Sequence, residues 1–244
     1  MEKNYIYDKN IWLTGASSGI GLEIAKSLAE FKTNLILSSR NIEKLTKAAA
    51  TISGKAKVYA FPMDVSLTKS INETFEFLSS EVGFPDILIN NAGIYEEKAF
   101  IDTSYEDFEK IINTNLRSAF DATQCVLPAM LEAGGGTVVN IISITALQPF
   151  KYSSIYSASK AALLSMMQCI REEVRKHNIK IINIIPGATA TNIWSDNVLA
   201  KKQNVMSSPR DIADLVVATL KLCNSNTSML EDIIIRPQIG DFRN

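Results

Sequence analysis

The sequence predicts an α/β fold: a doubly wound parallel sheet of about seven strands with helices on both faces, in a single domain. Three observations predict it. Short apolar runs alternate along the chain with longer stretches of helical spacing. The runs are dense in Ile, Leu and Val and lack polar alternation, as expected of strands covered on both faces. A chain of 244 residues, 46% hydrophobic and 21% charged, is also long enough to bury one sizeable core.

The elements follow in order. NIWLTG (10–15) is the first strand, and Ile20, Ile24 and Leu28 mark the helix after it. NLILSS (34–39) precedes a helix over Ile42 to Ile52, and KVYAFPMD (57–64) precedes one marked by Ile71, Phe75 and Leu78. After DILINNAG (86–93), the segment 102–131 predicts one long helix capped at Thr103 or Ser104, with acidic residues in its first turn where the dipole favours them. GTVVNIIS (136–143) leads to a long helix over 152–177. IKIINIIPG (179–187) leads through a loop of about 188–207 to a helix that Pro209 opens and that ends near Cys223. EDIIIRP (231–237) is the last strand. Such a sheet has its ligand crevice at the carboxyl ends of the strands, where every motif below falls.

Composition excludes several classes. With 25 basic and 26 acidic residues the net charge is -1, so no field gathers nucleic acid or an anionic membrane. Cys125, Cys169 and Cys223 have no metal-binding spacing; no metal is expected, and the three are expected to be reduced core thiols. MEKNYIYDKN lacks an apolar run long enough for a signal peptide, and nothing downstream approaches a membrane span, so a cytoplasmic protein is expected.

LTGASSGIG (13–21) joins the first strand to the first helix, with glycines at 15, 19 and 21. Glycine allows a tight turn and close approach of a ligand, and the free N–H groups of the helix start attract a diphosphate. The residues Gly15, Ser17, Ser18, Gly19, Ile20 and Gly21 are therefore candidates for holding a dinucleotide. The spacing is Gly-x-x-x-Gly-x-Gly, not the commoner Gly-x-Gly-x-x-Gly. The same letters formally match a hydrolase nucleophile elbow with Ser17 as nucleophile, whose base would have to be His177, the one histidine. At the end of the second strand, an acid would accept bonds from a ribose 2′-hydroxyl; here Ser38, Ser39 and Arg40 stand instead, and a guanidinium grips a 2′-phosphate. NADP is therefore expected rather than NAD.

Tyr156 and Lys160 in YSASK lie one helical turn apart, on one face if the run is helical. A phenol holds its proton to about pH 10, and a neighbouring ammonium would stabilise its phenolate. Read alone, the pair is equally a packing tyrosine and a solvated lysine. Asn90 and Asn91 read as turn formers or ligands, Asn115 as a helix-bending interruption or a site residue, Asp64 as a helix cap or a ligand, and Pro186-Gly187 as a strand end or a ligand.

Taken together, Thr14-Gly15-x-x-x-Gly19-x-Gly21, NNAG (90–93), Asn115 in NTNL, Ser143, Tyr156, Lys160 and PGATAT (186–191) resemble the short-chain dehydrogenase/reductase family, in its order and over nearly the whole chain. The resemblance implies a single NAD(P)-binding Rossmann domain over 1–244, with a substrate loop at about 188–207. It implies that Tyr156 is the general acid or base, that Lys160 lowers its pKa and holds the nicotinamide ribose, that Ser143 binds the substrate oxygen, and that Asn115 anchors a water chain. It places Asn91, Ala92 and Gly93 by the adenosine ribose, Asp64 and Val65 by the adenine, and Pro186, Gly187, Thr189 and Thr191 by the nicotinamide.

The substrate pocket is expected to take Ile144, Leu147, Phe150, Tyr152, Trp194, Met206 and Tyr95, a largely apolar set that suits a small carbonyl or alcohol substrate with a neutral body, or one of hydroxy-acid type. The ending EDIIIRPQIGDFRN departs from the glycine-rich close of 3-oxoacyl reductases, which leaves a 3-oxoacyl thioester as the alternative. A non-catalytic dinucleotide sensor is a further alternative, against which the intact Ser143, Tyr156 and Lys160 stand. Relatives pair through the long helices, so a homodimer or homotetramer is expected, with Ala158, Ala161 and Ala162 either allowing close helix approach or facing the sheet.

Overall fold

Alternation of side chains across the pleat divides the core in two. In β1 (Asn10–Thr14), Ile11 and Leu13 point to one face and Trp12 to the other, all fully buried. The computed structural model describes residues 5–225 and 227–240, so the extreme ends of the expected domain, including the first letters of MEKNYIYDKN and the last four of the closing segment, lie outside the described residues.

The other strands are β2 (Asn34–Ser39), β3 (Lys57–Pro62), β4 (Ile87–Asn90), β5 (Gly136–Ile141), β6 (Ile179–Pro186) and β7 (Asp232–Ile235). All seven form one parallel sheet in the order β3-β2-β1-β4-β5-β6-β7. The chain winds outward from β1 to β3, then crosses to β4 and winds the other way. The crevice between β1 and β4 is thus the topological switch point.

The helices are α1 (Gly19–Leu28), α2 (Ile42–Ala50), α3 (Thr68–Glu81), α4 (Tyr105–Ile112), α5 (Ser118–Glu132), α6 (Ser154–Val174), α7 (Asp196–Lys202) and α8 (Pro209–Lys221). One face of the sheet packs Ile24 of α1, Leu45 of α2 and Val216 of α8; the other packs Ile71 of α3, Val126 of α5 and Met167 of α6. Each such side chain, fully buried, contributes about 1.5–3 kcal/mol relative to exposure. Reciprocal capping boxes start α4 (Ser104 with Asp107) and α8 (Ser208 with Asp211, after which Pro209 takes the first helical position).

Three expectations need correction. The single long helix over 102–131 is two, α4 and α5, joined by a π-helical turn over Asn113–Arg117 that carries Asn115; its cap is Ser104, not Thr103. The loop of about 188–207 contains α7 and a 3-10 turn, which its short and largely polar sequence does not advertise. Only Cys223 is a core thiol, because Cys169 sits on the outer side of α6 and Cys125 is half-buried. Among the described residues no helix is long and apolar enough to cross a membrane.

Candidate active site

At the carboxyl end of β1 the chain turns sharply. Gly15 has φ +68°, and a Cβ there would stand 2.8 Å from Ala92 Cα, so only glycine fits. A Cβ on Gly21 would lie 2.4 Å from Gly15 O and 2.5 Å from Asn91 Nδ2. Asn91 Nδ2 donates to Thr14 O (2.9 Å) and Gly15 O (3.0 Å), while Thr14 Oγ1 accepts from the backbone N–H groups of Asn91 and Ala92, both at 3.1 Å. These bonds clasp β1 to β4 at the switch point. Ser18 begins α1 without a side-chain cap, leaving the first N–H groups of the helix for an anion. The open turn, with no room for side chains beneath it, fits a dinucleotide diphosphate.

A cleft of about 890 Å³ runs from this turn to the ends of β5 and β6. It is lined by Gly15, Ser17, Ser18, Gly19, Ile20, Gly21 and Arg40 at one end, by Val65, Asn91, Ala92 and Gly93 in the middle, and by Ser143, Tyr156, Lys160, Pro186, Gly187, Thr189 and Thr191 at the other. Asp64 Oδ1 accepts from Ser66 N (2.9 Å) and Ser66 Oγ (2.7 Å), and Met63 and Val65 on either side line the cleft. Asn115 does not line the cleft. It is 1% exposed, its Oδ1 accepts from Ile94 N (2.8 Å), and its Nδ2 donates to Ile94 O (2.9 Å) and Ser159 Oγ (3.2 Å). The π-turn brings this amide behind Gly93, where a Cβ would lie 3.4 Å from Asn115 Oδ1 and 3.5 Å from Lys160 Nζ.

Tyr156 and Lys160 stand one turn apart on α6, both buried and both lining the cleft. The Ser143 side chain stands beside the phenol and acts to lower its pKa. Ser143 Oγ accepts from Thr145 N (3.2 Å) and Thr145 Oγ1 (3.0 Å), an arrangement that turns its own proton away from Thr145. Lys160 Nζ donates to Ile141 O at 2.9 Å.

The expected electrostatics of the pair is also corrected. Burial pushes the Tyr156 phenol up to about 12, against a smaller lowering by the Ser143 side chain, and burial pulls Lys160 down to about 8. In the protein alone burial dominates both groups, and the ammonium is turned to the Ile141 carbonyl.

The lysine shift has a consequence for stability. An unfolded lysine holds its proton to about pH 10.4, whereas folded Lys160 loses it near 8. Between those values the unfolded chain carries the extra proton, so Lys160 contributes stability that is complete above the unfolded pKa and lost as pH falls through 8. Tyr156 carries the opposite sign and acts only above about pH 10. Urea unfolding from pH 8 to 10 should therefore show a rise of about 2 kcal/mol in the wild type relative to Lys160→Met.

At the far end Ile144, Phe150, Tyr95 and Trp194 line the cleft as expected. Leu147, Tyr152 and Met206 do not: the first two are 49% and 54% exposed, and Met206 is buried beneath the loop. Sequence reasoning passed over Thr145, and it also missed Asn192, which exchanges hydrogen bonds with Ser18 (3.3 and 3.4 Å) and so ties the loop after β6 to the glycine turn. Nothing in the sequence signals a pairing across 174 positions. A Ser17 nucleophile fails on topology. Ser17 Oγ accepts from Ser39 Oγ (2.9 Å) at the carboxyl end of the parallel strands, whereas His177 stands just before β6, at their amino end.

A family profile described as short chain dehydrogenase matches residues 9–202, most of the chain, including the glycine turn, Ser143, Tyr156 and Lys160. The chain belongs to the short-chain dehydrogenase family. This short-chain dehydrogenase is 34% identical over 225 residues to the ketoacyl reductase HetN of Nostoc sp., covering 91% of this chain and 78% of that one. It is 31% identical over 234 residues to an uncharacterized oxidoreductase of Staphylococcus saprophyticus, covering 95% and 98%. Among solved structures, the L-sorbose reductase of Gluconobacter frateurii, complexed with NADPH and L-sorbose, superposes with a TM-score of 0.85 at 27% identity over 96% of this chain and 97% of that one. The alcohol dehydrogenase of Thermococcus sibiricus shares the fold with a TM-score of 0.87 at 24% identity, covering 97% and 99%.

Proposed function

We propose that this oxidoreductase is an NADP-dependent alcohol dehydrogenase or carbonyl reductase acting on a small, neutral substrate, with Tyr156 as general acid and base. The observation that carries the reading is the phenol of Tyr156, beside Ser143 and one turn from Lys160, in the same cleft as the glycine turn of β1. Bound there, a nicotinamide dinucleotide supplies the hydride in reduction, accepts it in oxidation, and carries a positive ring charge in its oxidised form.

Every other part belongs to the chain. Ser143, with Thr145 donating to its oxygen, directs its proton at the substrate oxygen and stabilises developing negative charge there. Tyr156 gives its proton to that oxygen in reduction and takes it back in oxidation. Lys160 supplies positive charge beside the phenol, and Asn115 fixes the backbone of Ile94 at the edge of the site. Buried walls exclude water, which strengthens each of these interactions.

Arg40 and the Ser17–Ser39 hydroxyl pair support NADP, since they offer donors and no acid to a 2′-phosphate. The bound nucleotides of several similar structures support it as well. Following nicotinamide absorbance over a ketone panel tests the activity. Quenching by NADPH without turnover would favour a sensor. Arg40→Ala should weaken NADPH roughly 10–100-fold, the loss of a charge-assisted contact, and leave NADH within about threefold.

A 3-oxoacyl thioester is the second reading, favoured by the name of the Nostoc relative. On the same reading the exposed outer sides of α5 and α6, including Phe120, Ala158, Ala161 and Ala162, pair copies into a homodimer or homotetramer.

A further inference from the structure

Two aromatic rings wall the cleft beside the phenol, and both have their polar tips tied back to the protein. Tyr95 meets Tyr156 edge to face with centroids 5.0 Å apart, and Trp194 leans on Tyr95 at 5.3 Å. Tyr95 Oη pairs with Ser153 Oγ at 3.1 Å, and Trp194 Nε1 donates to Thr189 O at 3.0 Å. What this wall presents is ring surface.

The neighbouring hydroxyls are engaged in the same way. Thr145 Oγ1 donates to Ser143 Oγ (3.0 Å), Ser153 Oγ donates to Lys151 O (3.2 Å), and Thr189 Oγ1 donates to Gly187 O (3.0 Å). The charged groups of Glu97 and Lys151 sit at the exposed rim, and Gln148 and Lys202, which also line the cleft, have partners of their own. Ser143 and Tyr156 are thus the hydroxyls directed at a substrate, and one carbonyl oxygen satisfies both.

We infer that the substrate is an aryl ketone and its carbinol, with Tyr95 and Trp194 as specificity-determining residues. The inference rests on the oxidoreductase reading above. A ring set against Trp194 and Tyr95 packs offset or edge to face, the geometries aromatic pairs prefer, and leaves no polar group of the wall unpaired. A polyhydroxy ketone would bring several hydroxyls to partners that are already engaged, and each would lose water without replacement. An apolar pocket discriminates against an added hydroxyl by about 100-fold.

The test compares acetophenone with an open-chain polyhydroxy ketone in NADPH-linked reduction by the wild type, Tyr95→Ala and Trp194→Ala. NADPH affinity is measured in each, and acetophenone binding is read separately from quenching of tryptophan emission in the wild type and Tyr95→Ala. Acetophenone should be favoured about 100-fold in kcat/KM. Each variant should lower that ratio about tenfold through KM, with NADPH affinity unchanged, and Tyr95→Ala should weaken the quenching. Equal or better use of the polyhydroxy ketone, or a ratio unmoved in both variants, overturns the inference and leaves the oxidoreductase reading standing. If no ketone is reduced although NADPH binds, that reading fails, and the quenching then decides: saturable quenching weakened in Tyr95→Ala upholds an aromatic site, and its absence removes it.

Discussion

Tyr156→Phe is expected to lower kcat about 10³-fold in both directions, while the dissociation constant for NADPH changes by less than about threefold. The ring stays in its buried place on α6 and keeps its edge-to-face contact with Tyr95; what goes is the hydroxyl and its proton beside Ser143. General acid–base catalysis by a positioned side chain contributes typically about 10²–10⁴-fold, which sets the scale. Stopped-flow nicotinamide absorbance with a saturating ketone measures the first number, and fluorescence titration the second. Alcohol oxidation needs the phenolate, and burial holds the phenol near 12 in the protein alone. Oxidation by the wild type should therefore climb with pH, and the phenylalanine variant should lose that climb. A variant with wild-type kcat would remove Tyr156 from the chemistry and the proposed mechanism with it.

Gly21→Ala should be the most damaging single-methyl substitution in the glycine turn. Its Cβ would fall 2.4 Å from Gly15 O, so the backbone of the turn, rather than a flexible side chain, must move. Forcing a methyl into packed structure costs about 1–3 kcal/mol, which lowers Tm by roughly 5 °C in a chain of this size. The same displacement breaks the bond from Asn91 Nδ2 to Gly15 O and tilts the start of α1. If one or two charge-assisted bonds to the diphosphate are lost, at about 1.5 kcal/mol or more each, NADPH affinity falls roughly 10–100-fold. Calorimetry and fluorescence titration read the two effects separately. An alanine variant that binds NADPH as the wild type does would remove the turn from the cofactor's site.

All seven runs became strands trimmed by at most a few residues: the five inner ones because a parallel strand buried on both faces writes an uninterrupted apolar run, and the half-exposed edge strands β3 and β7 because they keep the same short apolar run. Ser104 and Pro209 marked two helix starts for an equally local reason, the capping chemistry of the first turn. The π-turn at Asn113–Arg117 was not legible. Its residues have ordinary helix propensities, and the amide of Asn115 is held by the backbone of Ile94, far away in sequence.

The sequence by itself determined the fold, the family and the candidate catalytic side chains, since each is written in short-range patterns: apolar runs, glycine spacing, and a phenol and an ammonium one helical turn apart. Tertiary structure alone decided the electrostatics and the shape of the substrate end. Whether Tyr156 sits above or below its ordinary pKa depends on how much water reaches it and where the Lys160 ammonium points. Whether Tyr95 and Trp194 offer rings or polar tips depends on Ser153 and Thr189. Desolvation and hydrogen-bond pairing are sums over neighbours that meet only when the sheet is wound, so no local stretch of the chain records them.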